Sequence, residues 1–360
     1  MSLWDTFTGW LSEDQQERAH VQIRPDHVDR PFTPAPIVAN QDYFRISVAQ
    51  MYLKKKSQFF QSFFPAVHSL VQCTFAGKSV ELPNVADPSK LLQQDGKGDW
   101  IAKNFTLLPL MPFKGGEIRL VAGLYAVKGE NRLNEFIGVL GGFAQLLAVP
   151  QISSALTVAA PLAAGIQTLF GGGGGMHLGY QNTFVGSGGD AANFMEQGYI
   201  ALIRMADDPT LAGRLFVVND ELREGESADQ STAFERADFM LLHVEIRDQR
   251  DDWNELTSIA SARKAALDAL GDGDATRADA QHKQALLAAM QAPEITGTDR
   301  RRVVDLLNRE YTEMKNTFGA SELTETAPAD LQNLINRNAM SIERARALGE
   351  PTYDELFESV

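Results

Sequence analysis

Cysteine is nearly missing from this chain: Cys73 is the only one in 360 residues. One thiol cannot close an intrachain disulfide, so the fold must be held by packing, and a reducing, cytoplasmic setting is expected. The opening stretch MSLWDTFTGWLSEDQQ has no basic n-region, no unbroken apolar core and no small-residue cleavage site, so it is not expected to be a secretory signal. Positive charge is scarce in the second part. Residues 220–360 hold 16 Lys and Arg against 29 Asp and Glu, whereas residues 1–219 hold 17 against 18. Nearly all of the net charge of −14 therefore lies in the last 141 residues. Phosphate recognition needs concentrated positive charge, so nucleic acid is excluded as a main partner; an acidic face suits solubility or a basic protein partner.

Motifs that carry chemistry are also missing. None of the six histidines sits in an H-E-x-x-H, and no cysteine pair exists for zinc. AGKS at residues 76–79 lacks the first glycine of a phosphate loop, because Gln72 stands there, and reads as a hairpin turn, FAGKSVEL. GSGG from Gly186 does not have the spacing of a nucleophile elbow. GDGD at 271–274 lacks the closing glutamate of a calcium loop and reads as a helix-to-helix turn, and DGKGDW at 95–100 reads as an acidic turn. Asp26, His27 and Asp29 could ligate a metal, but they fall in a proline-rich stretch and are expected in a solvated loop. His243, Glu245 and Arg247 alternate, so they share a strand face, with Met240, Leu242, Val244 and Ile246 on the buried one. No catalytic residue, metal site or cofactor is assigned.

Charge itself vanishes over residues 136–189, a run of 54 positions in a chain that is 22% charged. About a dozen charged residues would be expected there. The run splits into FIGVLGGFAQLLAV, Pro150, QISSALTVAAPLAAGIQTLF and five glycines, Gly171, Gly172, Gly173, Gly174 and Gly175. The leading expectation is a buried helical hairpin, with the glycines as a hinge. The alternatives are insertion of residues 136–170 into a bilayer, for which both pieces are short or proline-broken, and an oligomer interface.

What is present reads as a folded protein with 44% hydrophobic residues. Leu3, Trp4, Phe7, Trp10 and Leu11 fall on one face of a short helix whose polar face is acidic, which suits docking on a protein surface. Pro25, Pro31, Pro34 and Pro36 then mark an extended linker. Eight β-rich runs follow: YFRISVAQMYL, AVHSLVQCTFAG, NFTLLPLMPF, GEIRLVAGLYAV, MHLGYQNTFVG, GYIALIRMA, GRLFVVND and ADFMLLHVEIRD. After residue 251 helical periodicity takes over, over about 253–270, 275–291, 299–318 and 329–348. Asp252 and Glu255 form a capping box for the first helix. Val303, Val304, Leu307, Tyr311, Met314 and Phe318 form the stripe of the third. In KKKSQFFQSFF, residues 54–64, the basic Lys54, Lys55 and Lys56 abut Phe59 and Phe60, a pattern that could meet anionic lipid.

The expectation is an α+β chain: residues 1–40 an amphipathic helix and linker; 41–250 an antiparallel β-sandwich with a helical insertion at about 131–170 and a hinge at 171–175; 251–360 an acidic α-helical region. Strand count and the basic-aromatic loop make the layout similar to C2-like domains. The expected function is that of a non-enzymatic structural or interaction protein, a subunit or adaptor of a larger assembly. The contacts expected to carry it are Leu3, Trp4, Phe7, Trp10, Leu11, Lys54, Lys55, Lys56, Phe59 and Phe60. A protein partner or self-association is expected, with membrane contact less favoured; an enzyme without a recognisable motif is the last alternative.

Overall fold

The computed structural model describes residues 4, 5, 8, 9, 18–54, 63–85, 100–128, 152, 156, 159–165, 176–187 and 193–319. They belong to two compact units. One combines Met1–Leu256 with Gln291–Arg302; the other combines Thr257–Met290 with Val303–Val360. The chain is α+β, with antiparallel sheets in the first unit and helices in the second.

The β-unit holds twelve strands among the described residues: β1 (Ala19–Gln22), β2 (Tyr43–Leu53), β3 (Phe63–Phe75), β4 (Lys78–Val85), β5 (Trp100–Pro112), β6 (Glu117–Lys128), β7 (Met176–Val185), β8 (Gly198–Ile203), β9 (Leu215–Val218), β10 (Glu221–Glu224), β11 (Thr232–Ala233) and β12 (Phe239–Arg247). They form a five-stranded sheet in the order β1-β8-β12-β2-β5, a four-stranded sheet β4-β3-β6-β7 and a three-stranded sheet β11-β10-β9. All eight strand-like runs of the sequence are strands. Ala76 and Gly77 make the two-residue turn between β3 and β4, with φ of 49° and 74°. Both central residues of such a turn need positive φ, which an alanine adopts at a cost. Ala76→Asn is expected to raise the unfolding free energy by about 1 kcal/mol, measured by urea denaturation.

Alternation places one face of each large sheet in a shared apolar core. Phe44, Ile46 and Val48 of β2 meet Val67 and Val71 of β3, Leu120 and Leu124 of β6 and Leu242 and Val244 of β12. The five-stranded sheet is buried on its other face too. Tyr52, Phe239, Leu241 and Ala201 pack there with Val21, Leu215, Val217, Leu222 and Phe234. The half-buried strand expected for β12 is thus buried on both faces as far as Leu242, and its polar face begins only at His243. The unbroken run FMLL is the signature of such a strand.

The proline-bearing segment is extended but tied to the β-unit. Ile23 N–H donates to Tyr199 O, Asp29 N–H to Val217 O and Ile37 N–H to Met195 O, at 2.9, 3.1 and 3.0 Å. Ile23, Val28 and Ile37 are buried along it.

Of the uncharged run, Ile152 is buried in the first core, Leu156 packs against it, and residues 159–165 are helical with Leu162 and Ala163 buried. Among the described residues no helix is long and apolar enough to cross a membrane. The rest of residues 136–170 and the glycines 171–175 lie outside the described residues.

The helical unit contains α1 (Thr257–Gly271), α2 (Ala275–Gln291) as far as Met290, and α3 (Asp299–Gly319) from Val303 on. Ala266, Ala269, Leu270, Ala278 and Tyr311 make its core. Between α1 and α2, Gly273 takes φ of 76°, and Asp274 Oδ1 accepts the Arg277 N–H at 2.9 Å as a cap. The first helix departs from expectation. Asp251–Glu255 is a 3₁₀ turn, Leu256 is extended, and α1 starts only at Thr257. Asp252 is not a cap because its carboxylate accepts both Nε and Nη2 of Arg250, at 2.7 and 2.9 Å. In the third stripe Val303, Leu307 and Tyr311 are buried, whereas Phe318 in the last turn is 40% exposed. The fourth helix, at 329–348, lies outside the described residues.

Candidate binding cleft

Two sheet edges face one cleft. β1 ends the five-stranded sheet and β7 ends the four-stranded one. In AHVQ of β1, Ala19 and Val21 enter the second core, leaving His20 and Gln22 on the opposite face. In β7, Leu178, Tyr180 and Phe184 enter the first core, and Asn182 falls on the same register between them. His20, Gln22, Tyr180, Asn182, Glu196 and Tyr199 are prominent in the lining of the cleft, whose volume is about 460 Å³. This lies in the ordinary range of ligand pockets.

The backbone on these edges follows from strand parity. Along an antiparallel strand, successive residues turn N–H and C=O alternately to one neighbour and the other. Ile23 donates to Tyr199 of β8, so Ala19 and Val21 face β8, and His20 and Gln22 turn their amides and carbonyls outward. On β7, Gly179 O accepts Arg18 Nη1 at 3.0 Å and Val185 O accepts the Met195 N–H at 2.9 Å. Both carbonyls point away from β6, so Gln181 and Thr183 do likewise. The Thr183 N–H is taken by Asn182 Oδ1 at 2.9 Å.

Side-chain chemistry in the cleft is polar and largely neutral. The rings of His20 and Tyr180 meet edge to face at 5.5 Å. Asn182 Nδ2 donates to Tyr180 Oη at 3.0 Å. Burial pushes the Tyr180 hydroxyl up to about 12, with the Asn182 bond opposing. Burial, then the Arg18 charge, hold the His20 imidazole below its usual pKa, and Asp207 opposes. Tyr199 reaches past the cleft: its hydroxyl donates to Asp220 Oδ1 at 2.7 Å and its ring stacks on His243 at 4.3 Å. Burial and that bond raise the Tyr199 pKa, while burial lowers that of His243. These shifts keep the aromatic and imidazole groups uncharged near neutrality, which suits hydrogen bonding to a ligand.

The residues singled out from sequence sit elsewhere. Trp4 is buried, with the Arg119 guanidinium 4.1 Å over its ring. Lys54 donates its N–H to Asp238 Oδ1 at 2.8 Å and its Nζ to Arg236 O at 3.3 Å. Leu3, Phe7, Trp10, Leu11, Lys55, Lys56, Phe59 and Phe60 lie outside the described residues. The histidine–aspartate group of the proline segment is divided among structural contacts, not gathered on one point. Asp26 pairs with Arg24, the His27 ring stacks on Phe216 with Nδ1 2.9 Å from Leu215 O, and Asp29 accepts the Asn219 N–H. Glu245 is held by Arg247 and Arg45.

Sequence reasoning missed His20, Tyr180, Asn182 and Glu196. The usable signal was the amide-rich stretch YQN inside a strand, with a polar residue on the inward register between Tyr180 and Phe184. No family model, curated protein or solved structure matches this chain.

Proposed function

We propose that this chain is a non-enzymatic interaction protein, a C2-like β-sandwich with an acidic helical region, working as a subunit or adaptor of a larger cytoplasmic assembly. The observation that carries the reading is the cleft between the β1 and β7 edges. It offers amides, neutral aromatic donors and strand backbone, the groups by which proteins bind other proteins. The candidate acid–base groups outside it have structural duties. His243 stacks on Tyr199, Glu245 is ion-paired, and His282 stacks on Tyr311 at 4.1 Å. Burial of Ile152 and Leu162 favours a packed role for the part of the uncharged run they represent.

The test is flotation with anionic vesicles carrying a trapped dye, beside light scattering of the full chain. An interaction protein leaves the vesicles intact and unbound and gives a defined particle mass. Vesicle binding with leakage, abolished by Ala159→Asp without unfolding, would overturn the reading and assign residues 136–170 to membrane insertion.

A further inference from the structure

We propose that the cleft takes an extended segment of a protein partner as an added strand along β7, with a lysine or arginine of that segment on Glu196. This rests on the reading of the chain as an interaction protein.

The two sheet edges leave backbone groups over. Parity turns the N–H and C=O of Gln181 and the C=O of Thr183 out of the β7 edge, and those of His20 and Gln22 out of the β1 edge. Among the described residues nothing pairs with them. A row of alternating donors and acceptors on a sheet edge matches the main chain of an extended peptide, which carries the same alternation. A rigid small molecule does not repeat that spacing.

The ends of the slot set the size of the occupant. Arg18 closes the β7 edge at Gly179, and Met195 closes it at Val185, where Phe194 forms a parallel bridge. The open window from Gln181 to Thr183 spans about three residues, roughly 10 Å at strand rise. A second copy of this chain cannot bring a long folded edge into so short and recessed a window; a single unfolded segment can.

Charge sets one side chain of the occupant. Glu196 is half-buried in the lining, beside the Met195 end, and among the described residues no cation pairs with it. A carboxylate so placed gains from a cation supplied by the partner. The partner is therefore an extended peptide with a basic residue near one end of the paired stretch and neighbours able to bond amides and stack on Tyr180 or His20.

The probe is a displayed library of random ten-residue peptides, selected on the full chain. Enriched peptides are expected to carry Lys or Arg at a fixed position. Backbone N-methylation at alternate positions of a selected peptide is expected to weaken it at least tenfold, with little effect at the positions between. Gln181→Pro is expected to weaken it as much, because the lost N–H faces the cleft and not the β6 ladder. Glu196→Lys is expected to weaken it tenfold or more. The methylated peptides keep the test decisive even where the proline variant fails to fold. Peptides that lose affinity in Glu196→Lys but tolerate methylation at every position would overturn strand addition and leave the interaction reading standing. Selection of no peptide, or of peptides indifferent to Glu196→Lys, would overturn the use of this cleft for either purpose.

Discussion

Arg250→Ala is expected to lower the unfolding free energy by about 3–5 kcal/mol, the cost of breaking a buried ion pair from one side. Arg250 is fully buried. Its guanidinium grips Asp252 through two bonds and donates to Glu294 O at 3.1 Å. Its own N–H donates to Asp299 Oδ2 at 3.1 Å. Asp299, 3% exposed, also accepts the Tyr43 hydroxyl at 2.9 Å and the Arg302 guanidinium, and Tyr43 Oη in turn accepts the Thr296 N–H. The network ties residues 294–302 to β2 and to the end of β12, all within the β-unit. Truncating the arginine removes its bond to the Glu294 carbonyl and strands the Asp252 carboxylate in a half-dry site. Asp252→Ala should also be strongly destabilising, because it leaves the wholly buried Arg250 guanidinium without its counter-charge. Chemical denaturation followed by circular dichroism measures both; a loss under about 1 kcal/mol for Arg250→Ala would show the network to be dispensable.

The second large effect is a pH dependence centred on His68. This residue lies in the middle of β3, wholly buried, and burial pushes its imidazole down to about 3 from an ordinary value of 6.5. The sign follows from linkage. Above pH 6.5 His68 is neutral in both states and contributes no slope. Between 6.5 and about 3 the unfolded chain binds a proton that the folded chain refuses, so stability falls as pH falls. The loss is about 1.4 kcal/mol per pH unit, about 2 kcal/mol at pH 5 and on the order of 4–5 kcal/mol by pH 3. His20 and His243, also held low by burial, add to the slope in the same direction. The difference between the native chain and His68→Leu isolates the His68 share. The variant should show a shallower decline in urea midpoint between pH 7 and 5, and parallel declines would contradict the assignment.

Strands were legible in the sequence where period-2 alternation or β-branched runs were long, as in YFRISVAQMYL and GEIRLVAGLYAV. The turn at Ala76 and Gly77 was legible from its residues. The short strands β1, β10 and β11 were not, because two to four residues carry too little pattern. Asp252 looked like a helix cap because its spacing to Glu255 is right. What spacing does not reveal is that Arg250, two residues away, takes the carboxylate first. The cleft was hidden for a different reason. His20 and Tyr180 are 160 positions apart in sequence, and neither carries a motif. Only the order of strands in the two sheets brings their edges together. Mixed signals such as Lys54 beside the phenylalanines were visible because they are local, and the cleft was invisible because it is not.

The most direct test of the cleft is residue-resolved hydrogen exchange on the full chain without any partner. Amides of Gln22 and Gln181, turned out of their sheets, should exchange orders of magnitude faster than those of Val21, Tyr180 and Asn182, which pair within them. Adding a selected peptide should then slow Gln22 and Gln181 and leave their neighbours unchanged. Slow exchange at Gln22 and Gln181 in the isolated chain would mean that the chain closes its own edges, and the cleft would not be a docking site.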